Sequence, residues 1–432
     1  MSSSQVQDAT GTADAPFFPM SREPGCPFDP PPPLREAAAS DPVARVTIWN
    51  GSTPWIITGH AEQRALLSDP RVSVNDRLPG FPHWHAGMEQ VSTRRAGSVF
   101  NTDPPEHTRF RRMMTAPFTF KRVNAMRAVI QEITDDLIDQ MLAGPRPADL
   151  VEAIALPLPT RMICTIMGVP YEDHATFAAQ ASVGMKKDVT VQAQMASFRW
   201  QHDYLADLVR ARAAEPRDDV VSDLAQRVTD GEIAVEEAAA MGVGLFVAGH
   251  ETSANMIALA TVALLEHADQ LAILRESDDP QVAATAVEEL LRYLGIVHMA
   301  QRRIAKDDIE IGGQTIKAGE GILIELASAN RDPRVFPDPD VLDLHRPASA
   351  HHAFGFGLHQ CIGQQLARVE LQVVYGTLFR RIPTLSLATS IDKIEFKHDG
   401  IAYGVYALAA AASFVFVLRA VKETRGVELE AM

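Results

Sequence analysis

Apolar and polar residues are distributed along the chain in a pattern that predicts a mainly α protein with a smaller β portion. From Glu106 to about Ile233, apolar residues recur at helical spacing, and proline or glycine clusters mark the breaks. The pattern then predicts an unusually long helix from about Glu236 to Glu266, and a further helix over roughly Ala283 to Tyr293. No internal repeat or βαβ alternation is visible. We therefore expect one mostly helical body.

Three short regions have the composition of β-strands. The runs "VARVTIW" and "TPWIIT" lie on either side of "NGS", a strong turn signal, and predict a hairpin. Alternating segments in "DIEIGGQTIKAGEGILIELA" surround a Gly-Gly turn and predict a second hairpin. Near the end, "IAYGVYAL" at 401–408 predicts a buried strand. The segment from Asp76 to Phe100 is expected to be a loop.

The two ends of the chain differ from its middle. Residues 1–33 form a proline-rich arm, which we expect to be extended until it docks on a body at 34–408. Residues 401–418 carry no charge, and their length reaches the lower limit for crossing a bilayer. We favour a strand followed by an alanine-rich tail, because the β-rich run and Gly404 suit a strand. The tail at 409–432 is then expected to be disordered or an artificial extension.

Composition and charge narrow the function classes. The 432 residues include 55 acidic and 40 basic side chains, and the formal net charge of −15 argues against general nucleic-acid binding. Three cysteines give no disulfide framework, and the N-terminus lacks the basic and apolar regions of a signal peptide. These features predict a cytoplasmic protein without a membrane anchor.

The cysteine in "AFGFGLHQCIGQQLARVEL", Cys361, is the strongest candidate for chemistry. No neighbouring cysteine or Cys/His cluster offers a zinc site with it. The glycines around it allow close approach of the main chain, and the apolar spacing after it predicts a helix. Because a helix N-terminus stabilises a thiolate, this residue could attack an electrophile or bind a metal. These residues alone leave both readings open.

Three other motifs carry polar side chains at helical spacing. In the long predicted helix, "AGHETSAN" places Glu251 and Thr252 in an apolar run. This fits either a helix end or a local opening that handles protons. The motifs "AVEELLR" and "PPEHTRFRR" each place charged or basic side chains one helical turn apart. Each of these pairs, by itself, is as well explained by a solvated helix face.

Taken together, the motifs resemble those of the cytochrome P-450 family. The stretch 354–368 matches the pattern FGxGxHxCxGxxLAR of the family's cysteine-ligand loop at every fixed position. "AGHET" is similar to the oxygen-activation motif of its central helix, and "EELLR" to its ExxR motif. "ANRDPRVFPDPDVLDLHRP" looks like its meander. The resemblance covers roughly 24–408 and implies a single-domain cytochrome P-450 fold with a long central helix over haem.

The resemblance implies a role for each matched position. Cys361 would be the axial thiolate of haem b, while Thr252 and Glu251 would serve the co-substrate O2 by hydrogen bonding and proton relay. Gly357 and Gly363 would let the main chain approach the porphyrin and the sulfur. The residues that would contact haem are His107, Arg111, Arg303, Phe354, Gly355, His359 and Gly363. The triad that would brace the cysteine side is Glu289, Arg292 and Arg346. The residues that would line the substrate pocket are Phe81, Trp84, Leu245, Ala248, Val297 and Met299.

The implied reaction is monooxygenation, in which one atom of O2 enters the substrate by hydroxylation or epoxidation and the other leaves as water. The mostly apolar pocket suggests a large, mainly hydrophobic natural product or drug-like substrate. Electrons from NAD(P)H would arrive through a ferredoxin reductase and an iron–sulfur ferredoxin. The chain itself has no flavin domain, dinucleotide fingerprint or iron–sulfur cysteine spacing. The ferredoxin would dock on a basic surface with Arg111, Arg112 and Arg368. We expect a monomer.

Other functions on the same fold remain as alternatives. A nitric oxide reductase or a peroxide-driven peroxygenase would depart from the acid–alcohol pair that this chain keeps at Glu251 and Thr252, which disfavours both. A haem sensor without turnover is a third alternative. The absence of NADPH consumption in the presence of ferredoxin would favour the sensor.

Overall fold

Helices make up most of the described chain, which confirms the predicted balance of helix and strand. The computed structural model describes residues 15–23, 25–92, 98–183, 190–398 and 400–412. The helices are α1 (Pro32–Ser40), α2 (His60–Ser68), α3 (Ala86–Ser92), α4 (Glu106–Thr115), α5 (Phe120–Ala125), α6 (Arg127–Ala143), α7 (Pro157–Met167), α8 (His174–Val183), α9 (Val191–Ala214), α10 (Val220–Thr229), α11 (Val235–Glu266), α12 (Ala268–Glu276), α13 (Pro280–Leu294), α14 (Leu326–Ala329) and α15 (Gln364–Arg381). The segment predicted as a loop between 76 and 100 contains the short helix α3.

The long predicted helix is confirmed as α11, which runs through the main hydrophobic core. It begins where a Glu237 carboxylate oxygen accepts from the Ala234 N–H at 2.9 Å, satisfying a main-chain donor that the helix leaves unpaired. Every residue from 253 to 264 is buried, because α7, α9 and α15 pack around the helix. A helix that is apolar on all sides is stable only in such an interior position.

The β portion forms two small sheets and a hairpin. The strands are β1 (Val43–Arg45), β2 (Trp55–Ile57), β3 (Val72–Ser73), β4 (Ala148–Asp149), β5 (Gln301–Ala305), β6 (Ile309–Ile311), β7 (Gln314–Ile316), β8 (Gly321–Ile324), β9 (Leu385–Leu387) and β10 (Ala409–Ala412). One sheet has the order β1-β2-β8-β5-β3 and the other β4-β10-β9. Both predicted hairpins are confirmed: β1 pairs antiparallel with β2 around "NGS", and β6 pairs antiparallel with β7 around Gly312 and Gly313.

The predicted strand at 401–408 is wrong. That segment makes only isolated bridges, one of which joins Ala402 to Val297 and the other Val405 to Phe396. The observed strand, β10, begins at Ala409, one residue after the end of the predicted segment. It forms there because the chain has β4 on one side and β9 on the other. Available partners, rather than intrinsic β preference, decide where a strand forms. The tail predicted to start at residue 409 therefore begins inside a sheet, and its remainder, 413–432, lies outside the described residues.

The described part of the N-terminal arm is docked on the body. Phe18 is buried, and its N–H donates to the Thr47 carbonyl at 2.8 Å. Arg22 is also buried and donates to four main-chain carbonyls, two of them at the end of α13. Helix α1 starts at Pro32, so the boundary predicted at residue 33 falls within a helix.

In the part of the chain that the structure describes, no single helix has both the length and the hydropathy of a membrane span. Helices α11 and α12 reach these limits only as a pair, and their axes meet at 107°. The uncharged run at 401–418 is not helical where it is described.

Candidate active site

The candidate metal ligand, Cys361, lies in the loop that enters α15. Its main-chain N–H donates to the Phe354 carbonyl at 2.9 Å, so the loop folds back on itself before the helix begins. Gly357 in this loop has a left-handed φ of +74°, and a Cβ there would lie 2.2 Å from the Leu67 carbonyl oxygen of α2. Contact with α2, rather than room for a porphyrin, therefore accounts for this glycine.

The start of α15 provides hydrogen-bond donors to the sulfur. Burial raises the pKa of Cys361, while the N–H groups of Gly363 and Gln364 and the charges of Arg111 and Arg368 lower it. The Cys361 side chain keeps accessible surface although protein closely surrounds it, so this surface belongs to an internal cleft. A thiol held in this way is suited to bind a metal as the thiolate.

The other two predicted loop glycines serve the local packing. Gly355 has a φ of +69°, and a Cβ there would lie 2.9 Å from the side-chain nitrogen of Gln301 on β5. At Gly363, the N-cap residue of α15, a Cβ would lie 3.9 Å from the sulfur of Cys361. At Gly363 the loop therefore brings main-chain atoms close to the sulfur, with no side chain between them.

Four basic groups predicted to bind haem gather near the loop. The rings of His107 on α4 and His359 have centroids 4.1 Å apart. Burial, followed by the charges of Arg303, His107 and Arg111, lowers the pKa of His359 to about 3. Burial also lowers the pKa of Arg303 to about 10. Both ring nitrogens of His107 are buried, and neither has a hydrogen-bond partner in the described ranges.

The cluster of His107, Arg111, Arg303 and His359 has no ion-pair partner among the described residues, although the charge of Asp103 acts on Arg303 and His107. Burial of the two guanidinium charges without an ion pair is unfavourable, and the neutral imidazoles beside them can donate hydrogen bonds. Such a cluster indicates a site for a ligand with negative groups. The two propionates of haem have this chemistry, and the residues present therefore fit that cofactor.

One stripe of α11 has free surface. Gly244, Ala248 and Thr252 lie four residues apart and share one face of the helix, and the last two are exposed although the turns after them are buried. The Thr252 hydroxyl donates to the Ala248 carbonyl at 2.7 Å. Phe100 packs at the start of the stripe, since a Cβ at Gly244 would lie 2.9 Å from its ring. The stripe thus offers a ligand an apolar surface that ends at an alcohol.

A buried hydrogen bond joins this part of α11 to α15. The Ser253 hydroxyl, next to Thr252, donates to a carboxyl oxygen of Glu370 at 2.9 Å. Glu370 lies six residues beyond Gln364, so the head of α15 is about 9 Å further along the helix at ~1.5 Å per residue. The alcohol of Thr252 and the sulfur of Cys361 therefore belong to the same region. Burial raises the pKa of Glu370 to about 8.

The acid of the acid–alcohol pair has partners that sequence reasoning missed. Burial raises the pKa of Glu251, while the charge of Lys397 and the amide of Asn255 lower it. The Lys397 ammonium donates to Oδ1 of Asn255 at 2.9 Å across a separation of 142 residues. No local sequence signal could reveal this contact.

The predicted triad is assembled as one buried unit. Arg292 donates to both carboxylate oxygens of Glu289, at 2.7 and 2.8 Å, and Arg346 donates to one of them at 3.2 Å. The Glu289 and Arg292 side chains are fully buried. Arg292 also donates to main-chain carbonyls of Asn330 and Pro339. The unit thereby ties α13 to the irregular segment that precedes the cysteine loop.

The six residues predicted to line a pocket do not share one environment. Leu245 and Phe81 are buried, with 3% and 8% of their surface exposed, and present little area to a ligand. Trp84 donates its ring N–H to the Met299 carbonyl at 3.0 Å, which brings these two together. The residues with more free surface are Trp84, Ala248, Val297 and Met299. Sequence reasoning missed Phe100, which is 51% exposed beside the α11 stripe.

Known proteins match this chain in sequence. The cytochrome P-450 family model matches residues 189–395. Cytochrome P-450 CYP105Q4 of Mycobacterium marinum is 56% identical over 409 residues, which cover 94% of this chain and 98% of that protein. Cytochrome P-450 GfsF of Streptomyces halstedii is 56% identical over 407 residues, covering 93% of this chain and 98% of that protein.

Solved structures match the fold as well. The crystal structure of GfsF has a TM-score of 0.88 and 54% identity, and the match covers 92% of this chain and 100% of that chain. The mycinamicin VIII C21 methyl hydroxylase MycCI from Micromonospora griseorubida, bound to mycinamicin VIII, has a TM-score of 0.82 and 37% identity, covering 91% of this chain and 99% of that chain. The protein therefore belongs to the cytochrome P-450 family, with relatives from actinobacteria, and is a monooxygenase of the oxidoreductase class that uses haem iron and O2.

Proposed function

We propose that this monooxygenase hydroxylates or epoxidises a large, mainly hydrophobic natural product in the cleft between α11 and the cysteine loop. The observation that carries the proposal is the exposed stripe of Ala248 and Thr252 on an otherwise buried helix. An apolar stripe that ends at an alcohol suits a ligand with a broad apolar face. MycCI, by its name, acts on a methyl group numbered C21, and a skeleton numbered that far supports a bulky substrate here too.

The residues of the site receive separate roles in this proposal. Cys361 would hold the iron of haem b, and the cluster of His107, Arg111, Arg303 and His359 would bind its two propionates. The bound cofactor would supply the activation of O2. Thr252, whose hydroxyl already bonds the Ala248 carbonyl, orients a proton donor toward the stripe. Glu251 passes protons to that alcohol from the interior.

We further propose that electrons come from NAD(P)H through a ferredoxin reductase and an iron–sulfur ferredoxin. Support comes from the positive groups near the cysteine loop, since the charges of Arg111 and Arg368 both act on the sulfur of Cys361. Nearby, Arg112 lines a surface groove of about 850 Å³ together with Arg109, Arg227 and one acidic residue, Glu232. An acidic ferredoxin fits such a surface, and its coupling should weaken as salt increases. A cytoplasmic monomer is the form we propose for this chemistry.

An optical titration of the ferric holoprotein tests the substrate class. We expect a saturable change of the haem absorption band with bulky lipophilic natural products, and none with small terpenes, because the stripe offers a long apolar face. Ala248→Phe, which fills the stripe, should abolish the change. Ala268→Phe, which alters an exposed alanine at the start of α12, should leave it intact.

Two results would overturn this substrate class. A response to small terpenes alone would mean that the cleft is too narrow for the proposed ligand. No response to any ligand, from a protein whose reduced CO complex still reports thiolate ligation, would favour a function without an organic substrate.

A further inference from the structure

A lysine from the C-terminal segment is buried against the middle of α11. Lys397 is only 9% exposed and donates from Nζ to Oδ1 of Asn255 at 2.9 Å, while Asn255 is 2% exposed. Among the described residues, no carboxylate lies within ion-pair distance of Lys397. Burying an ammonium group without an ion-pair partner costs free energy, so the position of Lys397 requires a structural or functional explanation.

The segment that carries this lysine is shaped to deliver it. The Lys397 N–H donates to the Gly404 carbonyl at 2.9 Å, beside the bridge between Phe396 and Val405. A Cβ at Gly404 would lie 2.1 Å from Oδ1 of Asn255, so any larger residue would push the amide away. The main-chain contact and the glycine thus place the ammonium and the amide oxygen together.

This contact fixes which way the amide of Asn255 points. An ammonium can only donate, so it must bond the oxygen end of the amide and leave the NH2 end directed elsewhere. That nitrogen, Nδ2, is buried and has no hydrogen-bond partner among the described residues. Its neighbour on the same helix face is Glu251, four residues earlier, and Asn255 acts to lower the pKa of that carboxyl. The lysine therefore turns a donor toward the carboxylate.

The other groups near Glu251 do not supply a positive charge that could lower its pKa as Lys397 does. Burial, and then the charge of Lys397, lowers the pKa of His250 to about 4, so this histidine is neutral near pH 7. On the α15 side, Glu370 bonds Ser253 and its pKa is raised to about 8 by burial. The ring face of Tyr406 lies 5.7 Å from Nζ of Lys397. The charge that favours the ionised form of Glu251 thus comes from Lys397.

We infer that Lys397 is a positioning residue, which acts by its charge and through Asn255 to oppose the cost of burying a charge on Glu251 and to orient that carboxyl beside Thr252. The inference rests on the proposed role of Glu251 and Thr252 in proton delivery. It assigns the control of that relay to the segment 394–405, far from α11 in the sequence.

Infrared difference spectroscopy of the ferric holoenzyme over a pH series tests this directly. The carboxyl band of Glu251 is identified by its loss in Glu251→Gln, and its titration gives the pKa without turnover. Lys397→Met should make Glu251 about tenfold weaker as an acid, since a nearby opposite charge shifts a carboxyl pKa by ~1 unit or more. Lys397→Arg, which keeps a donor-only cation, should restore most of the difference.

The control is Lys393→Met, which removes an exposed lysine directly before this segment and should leave the Glu251 titration unchanged. If Lys397→Met does not bind haem, Lys397→Gln replaces it, with the same expected direction. An unchanged Glu251 pKa in the neutral variant overturns the inference and leaves the proposed function intact. Conversely, normal coupling in Glu251→Gln would remove the proposed relay, while the effect of Lys397 on the Glu251 pKa would still stand.

Discussion

Two buried charged regions of this protein differ in how completely their hydrogen bonds are satisfied. At the triad, the five N–H donors of Arg292 match five bonds to Glu289 and to three main-chain carbonyls. Beside the cysteine loop, within the described part of the chain, both ring nitrogens of His107 lack partners, and Arg303 donates only to its neighbours Arg302 and Gln301. The first arrangement is complete as it stands, whereas the second needs a ligand. Completeness of bonding, more than burial, separates structural charges from binding charges.

The middle of α11 lies between these extremes. Among the described residues, Glu370 has one hydroxyl partner and no cation, and burial raises its pKa to about 8. Glu251 has no direct ion pair there, but the charge of Lys397 and the amide of Asn255 both lower its pKa, against the effect of burial. Partly satisfied groups of this kind are better suited to exchange protons than complete ion pairs are. The contrast between the regions can be tested by removing one partner from each.

The largest effect is expected at the complete region. Arg292→Met leaves the Glu289 carboxylate buried without its main partner, which should lower the free energy of unfolding by about 3–5 kcal/mol. Urea unfolding of the holoprotein, followed by circular dichroism, measures this. The matched control is Arg210→Met, which breaks an exposed pair with Asp207 at the same three-residue spacing and should cost at most about 0.5 kcal/mol. Equal losses in the two variants would contradict a structural role for the triad.

A smaller effect is expected at the incomplete region, and it should concern the ligand rather than the fold. Arg111→Met removes one cation from the cluster and should weaken haem retention about tenfold, because one charge-assisted hydrogen bond contributes ~1.5–3 kcal/mol. Transfer of haem to an acceptor protein measures the rate of loss.

The neighbouring residue is the control for that change. Arg112 is exposed, so Arg112→Met should retain haem normally and instead reduce the coupling to ferredoxin at low salt. Equal haem loss from both variants would mean that the cluster is not specific for the propionates.

The smallest effect is expected from removing a single hydroxyl group on α11. Thr252→Ala should keep the haem and its CO complex but divert electrons to hydrogen peroxide. Because a positioned proton-transfer group contributes about 100-fold in rate at the low end, peroxide should become the main product of the electrons consumed. Peroxide formed per NADPH consumed measures this. Thr261→Ala is the control, because Thr261 makes the same bond one turn back, to the Ile257 carbonyl, but lies deep in the core. Normal coupling in Thr252→Ala would remove the role given to Thr252.

The sequence predicted those features in which the signal is local. The long helix α11, both hairpins and the helix after Cys361 follow from spacing and turn residues over short stretches. Motif resemblance also placed His107, Arg111, Arg303 and His359 together, and the structure brings them into one cluster. The strand at 401–408 was predicted wrongly because pairing depends on which edges lie nearby, as β10 does between β4 and β9.

The sequence by itself determined the helical body, the cysteine loop at the head of a helix, and the residues proposed to bind haem, since these depend on periodicity and fixed motif spacing. Only the tertiary structure decided which buried polar groups have all their hydrogen bonds satisfied and which do not. Lys397 reaches Asn255 across 142 residues, and Gly357 is required by a carbonyl of α2. Contacts of this kind join segments that are distant in the chain, and burial gives them their energies. A linear pattern records neither the contact nor the burial.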